Sequence, residues 1–180
     1  MKFLASLLFL LSSNLWAFHF VEVDALNPLF YAADTSHSLR TDIRFGKDMG
    51  SWTTAFRYAT ELGVPSDTDG AGVKGKDGYA HSLGLRGAYF IAPSVQLGGG
   101  YLFTMFNAKT SFNGESKTLN KNLSGFELFA NKTWNFERWY VKAELGYHHL
   151  FGNLKESHAG KSAEYDVGQG KLSLLIGREF

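Results

Sequence analysis

Cysteine is absent from this chain. That excludes thiolate metal centres and cysteine nucleophiles, a lipid anchor on an N-terminal cysteine and, in an exported protein, disulfide staples. Proline is scarce, with 3 residues. Net charge is +1, so no field of one sign argues for a nucleic-acid partner. Beyond residue 17, no apolar run approaches the roughly 18 residues of a membrane helix. What the chain has in quantity is aromatic side chains, at 16%, and 20 glycines. That aromatic-rich, glycine-rich, proline-poor composition suits a β protein.

The N-terminus reads as a secretion signal. Lys2 supplies a positive charge, Phe3 to Leu11 is apolar, and Leu15-Trp16-Ala17 offers a cleavage site. The expected organisation is a signal peptide over 1–17 and one domain over 18–180.

The rest of the chain alternates with period two, the signature of strands with one wet and one apolar face. Trp52 to Val64 sets Trp52, Phe56, Tyr58 and Leu62 against Arg57, Ala59 and Glu61. Tyr79 to Phe90, Val95 to Phe106, Ser124 to Trp134 and Trp139 to Leu150 behave alike. Ser38 to Phe45 and a closing strand from about Tyr165 to Phe180 are weaker, and a first strand at Phe18 to Leu26 is weakest. The connections alternate in length. Short turns are expected at Lys47 to Ser51, Ile91 to Ser94 and Asn135 to Arg138. Long polar loops are expected at Asn27 to His37, Pro65 to Gly78, Asn107 to Lys121 and Phe151 to Glu164. Eight strands, each about long enough for a tilted crossing, satisfy this pattern. The expected fold is therefore all-β: an eight-stranded antiparallel up-and-down transmembrane β-barrel.

Charge decides which face meets lipid. One face carries Glu22, Asp24, Asp42, Glu61, Glu127 and Glu144 together with Arg40, Arg44, Arg57, Arg86, Lys142 and Lys171. On lipid, each base near the midplane would cost about 2–4 kcal/mol, so the six would cost about 12–24 kcal/mol. That exceeds a typical domain stability of about 5–15 kcal/mol. The charged face must point inward, where Arg44, Arg57, Glu61, Arg86, Glu127, Lys142 and Glu144 are expected to form an ion network. The apolar face carries Phe45, Trp52, Tyr89, Trp134, Trp139 and Phe180 at the short-turn end, the pattern of an aromatic girdle at one membrane interface. Alternation alone also fits a soluble lipocalin-type barrel with its apolar face inward. The girdle, the loop asymmetry and the terminal Phe180 favour the membrane.

The stretch Leu83 to Tyr101, with Leu172, Leu174, Ile176 and Phe180 at the end of the chain, resembles the small bacterial outer-membrane barrels of the OmpA-like, OmpX-like and OmpW-like kinds. The resemblance implies a Gram-negative outer-membrane location and a monomer. It implies handling by the barrel assembly machinery through the C-terminal strand, where a terminal Phe marks the chain for insertion. Its partners would be outer-membrane lipid and lipopolysaccharide. The external loops could reach lipopolysaccharide phosphates, through Lys74 and Lys76, or a host ligand. The role would be structural or surface-interacting: adhesion, envelope integrity or stress defence. Passage of small hydrophobic solutes through a lateral opening, as in OmpW-like barrels, is a second reading.

Lipid A modification is a third reading, but no catalytic residue can be named. The deacylases of that class carry His-x-Ser, and no His here has Ser two places later. His148 and His149 are adjacent on an expected strand and so point to opposite faces, as do His81 and Ser82. No metal site and no cofactor are expected.

Overall fold

The alternating segments close on themselves. The computed structural model describes residues 18–32, 39–64, 66–69, 73–165 and 167–180; the expected signal peptide, Met1 to Ala17, lies outside them. Eleven strands are present among the described residues: β1 (Phe20–Asp24), β2 (Leu39–Asp48), β3 (Trp52–Val64), β4 (Ser66–Asp69), β5 (Val73–Ala92), β6 (Val95–Phe112), β7 (Glu115–Phe136), β8 (Trp139–Leu150), β9 (Leu154–His158), β10 (Lys161–Tyr165) and β11 (Gly168–Glu179). Eight of them form a closed antiparallel barrel in the order β1-β11-β8-β7-β6-β5-β3-β2. Closure removes the unpaired sheet edges that would otherwise be exposed. Val23 pairs with both Ile43 and Ile176, so the short first strand joins the two ends of the sheet.

At the short-turn end, β2–β3, β5–β6 and β7–β8 are joined by tight connections at the expected places. The long-loop end differs from expectation. The segments read as polar loops are largely β structure. Strands β6 and β7 continue past the expected loop start to a two-residue Asn113-Gly114 turn, with φ of 52° and 94°. That sequence is a strong hairpin former because both positions need positive φ. The 151–164 segment folds as the β9–β10 hairpin, turning on Ala159-Gly160. Strand β10 also pairs with β4, which makes a separate three-stranded sheet, β4-β10-β9.

Three boundaries also change. The first strand stops at Asp24, and a short helix, α1 (Leu26–Ala32), occupies what was read as loop. Asp24 accepts the Leu26 N–H at 3.0 Å, which turns the chain out of the strand. Tyr165 ends the β10 hairpin, so the closing strand starts at Gly168.

The faces fall as the charge argument requires. Leu85, Leu145 and Leu172 are 69%, 67% and 61% exposed on the outside, while their neighbours Arg86, Glu144 and Ser173 are buried within. The interior also holds rings that the charged-face reading passed over: Phe20, Phe129 and Tyr140. Each lies over a glycine on the adjacent strand. A Cβ on Gly46 would fall 2.1 Å from Phe20, one on Gly98 2.3 Å from Phe129, and one on Gly177 2.1 Å from Tyr140. These glycines are there because the rings occupy the space a side chain would need.

Candidate functional site, the charged barrel interior and its outer cap

Five strands bring six side chains into one closed circuit of alternating charge. Asp42 and Arg44 come from β2, Arg57 from β3, Arg86 from β5, Glu127 from β7 and Glu144 from β8. Arg57 Nε lies 3.0 Å from Asp42 Oδ2, and Arg57 Nη1 donates to Glu127 Oε2 at 2.6 Å. Arg86 Nε lies 2.8 Å from Glu127 Oε1, at an angle that makes the contact an ion pair rather than a hydrogen bond. Arg86 Nη2 then donates to Glu144 Oε1 at 2.9 Å. Arg44 grips both oxygens of Glu144 at 2.9 Å, a two-pronged contact that fixes its plane. Arg44 Nη2 closes the ring on Asp42 Oδ2 at 3.0 Å. Three acids alternate with three bases, so the ring is neutral. Gly100 on β6 makes room for it, since a Cβ there would fall 2.9 Å from Glu127 Oε1. The Arg86 guanidinium also sits 3.7 Å from the centre of the Phe129 ring, a cation–π contact.

Three further groups attach to the ring or stand beside it. Lys142 pairs with Glu22, which also accepts the Tyr140 hydroxyl at 2.9 Å and lies 3.6 Å from Arg44. Lys171 lies 3.8 Å from Glu61. Arg40 donates to Asp42 at 3.0 Å. Within the expected network, Arg86 pairs with Glu127 and Glu144, Glu61 with Lys171, and Lys142 with Glu22. Asp42, the acid that binds three arginines, was recognised as inward-facing but not as the hub. Two of those arginines, Arg40 and Arg44, flank it on the same face of β2, which alternation does show; the third, Arg57, depends on the stagger of β2 against β3.

Above the ring, towards the long-loop end, the interior turns apolar. Phe106, Ala108, Leu119, Leu154 and Tyr165 form a core that joins the tall β6–β7 hairpin to the β4-β10-β9 sheet. The Tyr165 ring stands 5.0 Å from Phe106, and its hydroxyl is 3.1 Å from Thr110 Oγ1. Below the ring, a polar vestibule of about 630 Å³ opens at the short-turn end, lined by Gln96, Thr133 and Lys142 among others. The interior is therefore layered: vestibule, charge ring, apolar cap.

Outside, Trp52, Tyr89, Trp134, Trp139 and Phe180 are all exposed at the short-turn end, and Trp52 packs on Tyr89 at 4.9 Å. Phe136 and Ile91 join them. At the other end, Leu62, Tyr79, Tyr147 and Phe151 form a second exposed apolar row. About ten residue steps on β3 separate Trp52 from Leu62, about 25 Å at a rise of about 3.3 Å and a tilt of about 40°. That matches the apolar band of about 25 Å on a membrane barrel.

Among the described residues, the histidines offer no shared site. His81 faces outward, stacked on Tyr58, with its Nδ1 3.1 Å from the Tyr58 hydroxyl. His149 packs on Phe126 and Phe151, while His148 lines the interior. Among the described residues, no three His, Asp or Glu side chains are grouped to hold a metal ion. At Lys74 and Lys76 only the backbone is described; both lie on β5 where it pairs with β6, as Lys74↔Ser111 and Lys76↔Lys109, rather than in a loop.

No family model and no curated protein matches this chain. Solved structures do. Neisserial surface protein A superposes with a TM-score of 0.51 at 14% identity, over 89% of this chain and 96% of that one. Ail, the attachment invasion locus protein of Yersinia pestis, gives 0.48 at 12% identity over 90% and 94%. What the likeness shows is the fold: this chain is an eight-stranded antiparallel barrel of the small outer-membrane type.

Proposed function

We propose that the protein is a monomeric integral protein of the Gram-negative outer membrane with a structural or surface-interacting role, serving adhesion, envelope integrity or stress defence. One observation carries the reading: the polarity of the barrel is inverted. Its interior holds a continuous charge ring, while its outer surface presents leucine, tyrosine and tryptophan. In water that arrangement would expose an apolar band all round the barrel, far beyond what a soluble monomer leaves uncovered. In a bilayer it is the arrangement every spanning strand needs. The likeness to a bacterial surface protein supports the same placement.

The layered interior argues against passage of solutes. A hydrophobic solute bound for a lateral opening would have to displace the cap of Phe106, Leu119 and Tyr165, and a solute crossing the whole barrel would also have to pass six ionised groups. The function then falls to the external face, built from the β6–β7 hairpin and the β4-β10-β9 sheet rather than from loops. Lipopolysaccharide or a host ligand would meet that face, and the barrel assembly machinery would meet β11 during insertion. Lipid A modification stays a third reading, and no described residue is assigned a catalytic role.

Fractionation tests this. The expected result is recovery in the outer membrane, with faster gel migration before boiling than after it. Deleting Phe180 is expected to lower the assembled fraction. Recovery as a soluble periplasmic protein would end the proposal.

A further inference from the structure

Between the charge ring and the apolar cap lies a small chamber of about 40 Å³. Its charged lining is Arg40, Arg57, Lys171 and Glu61, with His148 beside them and Phe106 and Leu154 on the cap side. We propose that this chamber is a binding site for one monatomic anion of the halide class, held by Arg40, Arg57 and Lys171.

Charge balance is the first argument. The six-membered ring is neutral, Lys142 offsets Glu22, and Lys171 offsets Glu61. Arg40 and one acid, Asp24, are the buried charges left over among the described residues. The one ion pair of Arg40 among the described residues is to Asp42 Oδ2, and that same oxygen already receives Arg44 and Arg57 at 3.0 Å each. Asp24 balances the interior overall, but one of its oxygens takes the Leu26 N–H, the other has no hydrogen-bond partner, and it neither pairs with Arg40 nor lines the chamber. Arg40 is only 6% exposed. A buried cation with a third share of one carboxylate is costly unless another negative charge comes close.

Unmet hydrogen-bonding capacity is the second. Two nitrogens on residues that line the chamber, Arg40 Nε and His148 Nδ1, are buried without a partner. Glu61 is the one acid in the lining, and it stands 3.8 Å from the Lys171 ammonium, beyond hydrogen-bond distance. Size is the third. A water needs about 10–15 Å³ of such space, so 40 Å³ accepts two or three waters or one halide with a water, and excludes a hydrated phosphate or sulfate. Water would meet the hydrogen bonds alone; a halide would also answer the three cations that line the chamber against one acid.

The test uses the full barrel, folded in detergent. Equilibrium unfolding is followed while sodium bromide replaces sodium gluconate at fixed ionic strength. The expected result is a saturable rise in stability with bromide, in the form a single bound ligand gives. Arg40→Gln should weaken the bromide dependence at least about tenfold; if that variant does not fold, Lys171→Gln takes its place. Crystals grown in bromide should show an anomalous peak between Arg40, Arg57 and Lys171. Equal stability in bromide and gluconate, or no peak in the chamber, would overturn the proposal, as would a variant with undiminished bromide dependence.

Discussion

Replacing Asp42 with Asn should unsettle the barrel more than any other single loss of charge. The carboxylate is fully buried and holds Arg40, Arg44 and Arg57, each at 3.0 Å. The three arginines do not suffer equally. Arg44 keeps both oxygens of Glu144 and a longer contact to Glu22. Arg57 keeps Glu127 at 2.6 Å. Arg40 keeps no ion pair among the described residues. The expected cost of Asp42→Asn is that of breaking one buried pair, about 3–5 kcal/mol, rather than three times that. Because the cost is concentrated on Arg40, Arg40→Met in the same chain should recover much of it, with a coupling of at least about 1 kcal/mol. Urea unfolding of the refolded barrel in detergent, read by tryptophan fluorescence and by gel mobility, measures both. A loss below about 0.5 kcal/mol for Asp42→Asn would refute the hub, since that is the size of an ordinary surface change. A full loss with no recovery in the double variant would mean that Arg44 or Arg57, not Arg40, bears the cost.

Other expectations follow from the same geometry. Gly98→Ala should cost about 1–3 kcal/mol, because the new methyl would fall 2.3 Å from the Phe129 ring and 2.5 Å from the Gly87 carbonyl oxygen; a neutral result in urea unfolding would mean that the ring is free to move aside. Leu85→Arg should cost about 2–4 kcal/mol in lipid vesicles, and a cost no larger than for a charge placed on the Asn113-Gly114 turn would remove Leu85 from the bilayer. Planar-bilayer recordings of the pure protein should show no steady porin-sized conductance, because eight strands leave only room for side chains and the ring and cap fill it; a stable large current would contradict the layered interior.

Much of the barrel was legible because strand alternation is a local property. Arg57 and Glu61 each sit two places from Ala59 on one face, and no tertiary knowledge is needed to see it. Direction followed from cost: a charged face cannot meet lipid, so the interior residues were identifiable as a set. Pairing within that set was not. Arg44 and Glu144 are separated by 100 residues, and whether they meet depends on the stagger of β2 against β8, to which alternation is blind. The outer cap was misread for a different reason. Polarity was taken to mean loop, although Ala108, Thr110 and Phe112 alternate with Lys109 and Ser111 directly before Asn113-Gly114. Read for turn chemistry rather than for polarity, that stretch announces a hairpin. The interior rings escaped because Phe129 and Tyr140 look like lipid-facing residues until the glycine opposite each is noticed.

The inverted polarity is tested most directly by two single-cysteine variants at adjacent positions on β11. The chain has no cysteine of its own, so each label reports one site. Leu172 is outward and 61% exposed, while Ser173 is inward, 2% exposed and nearly isosteric with cysteine. In lipid vesicles, Leu172→Cys is expected to react with a membrane-partitioning maleimide and Ser173→Cys to stay unreactive until the barrel is unfolded. Reaction at 173 with protection at 172 would mean that the apolar face points inward, and the barrel would then be a soluble one.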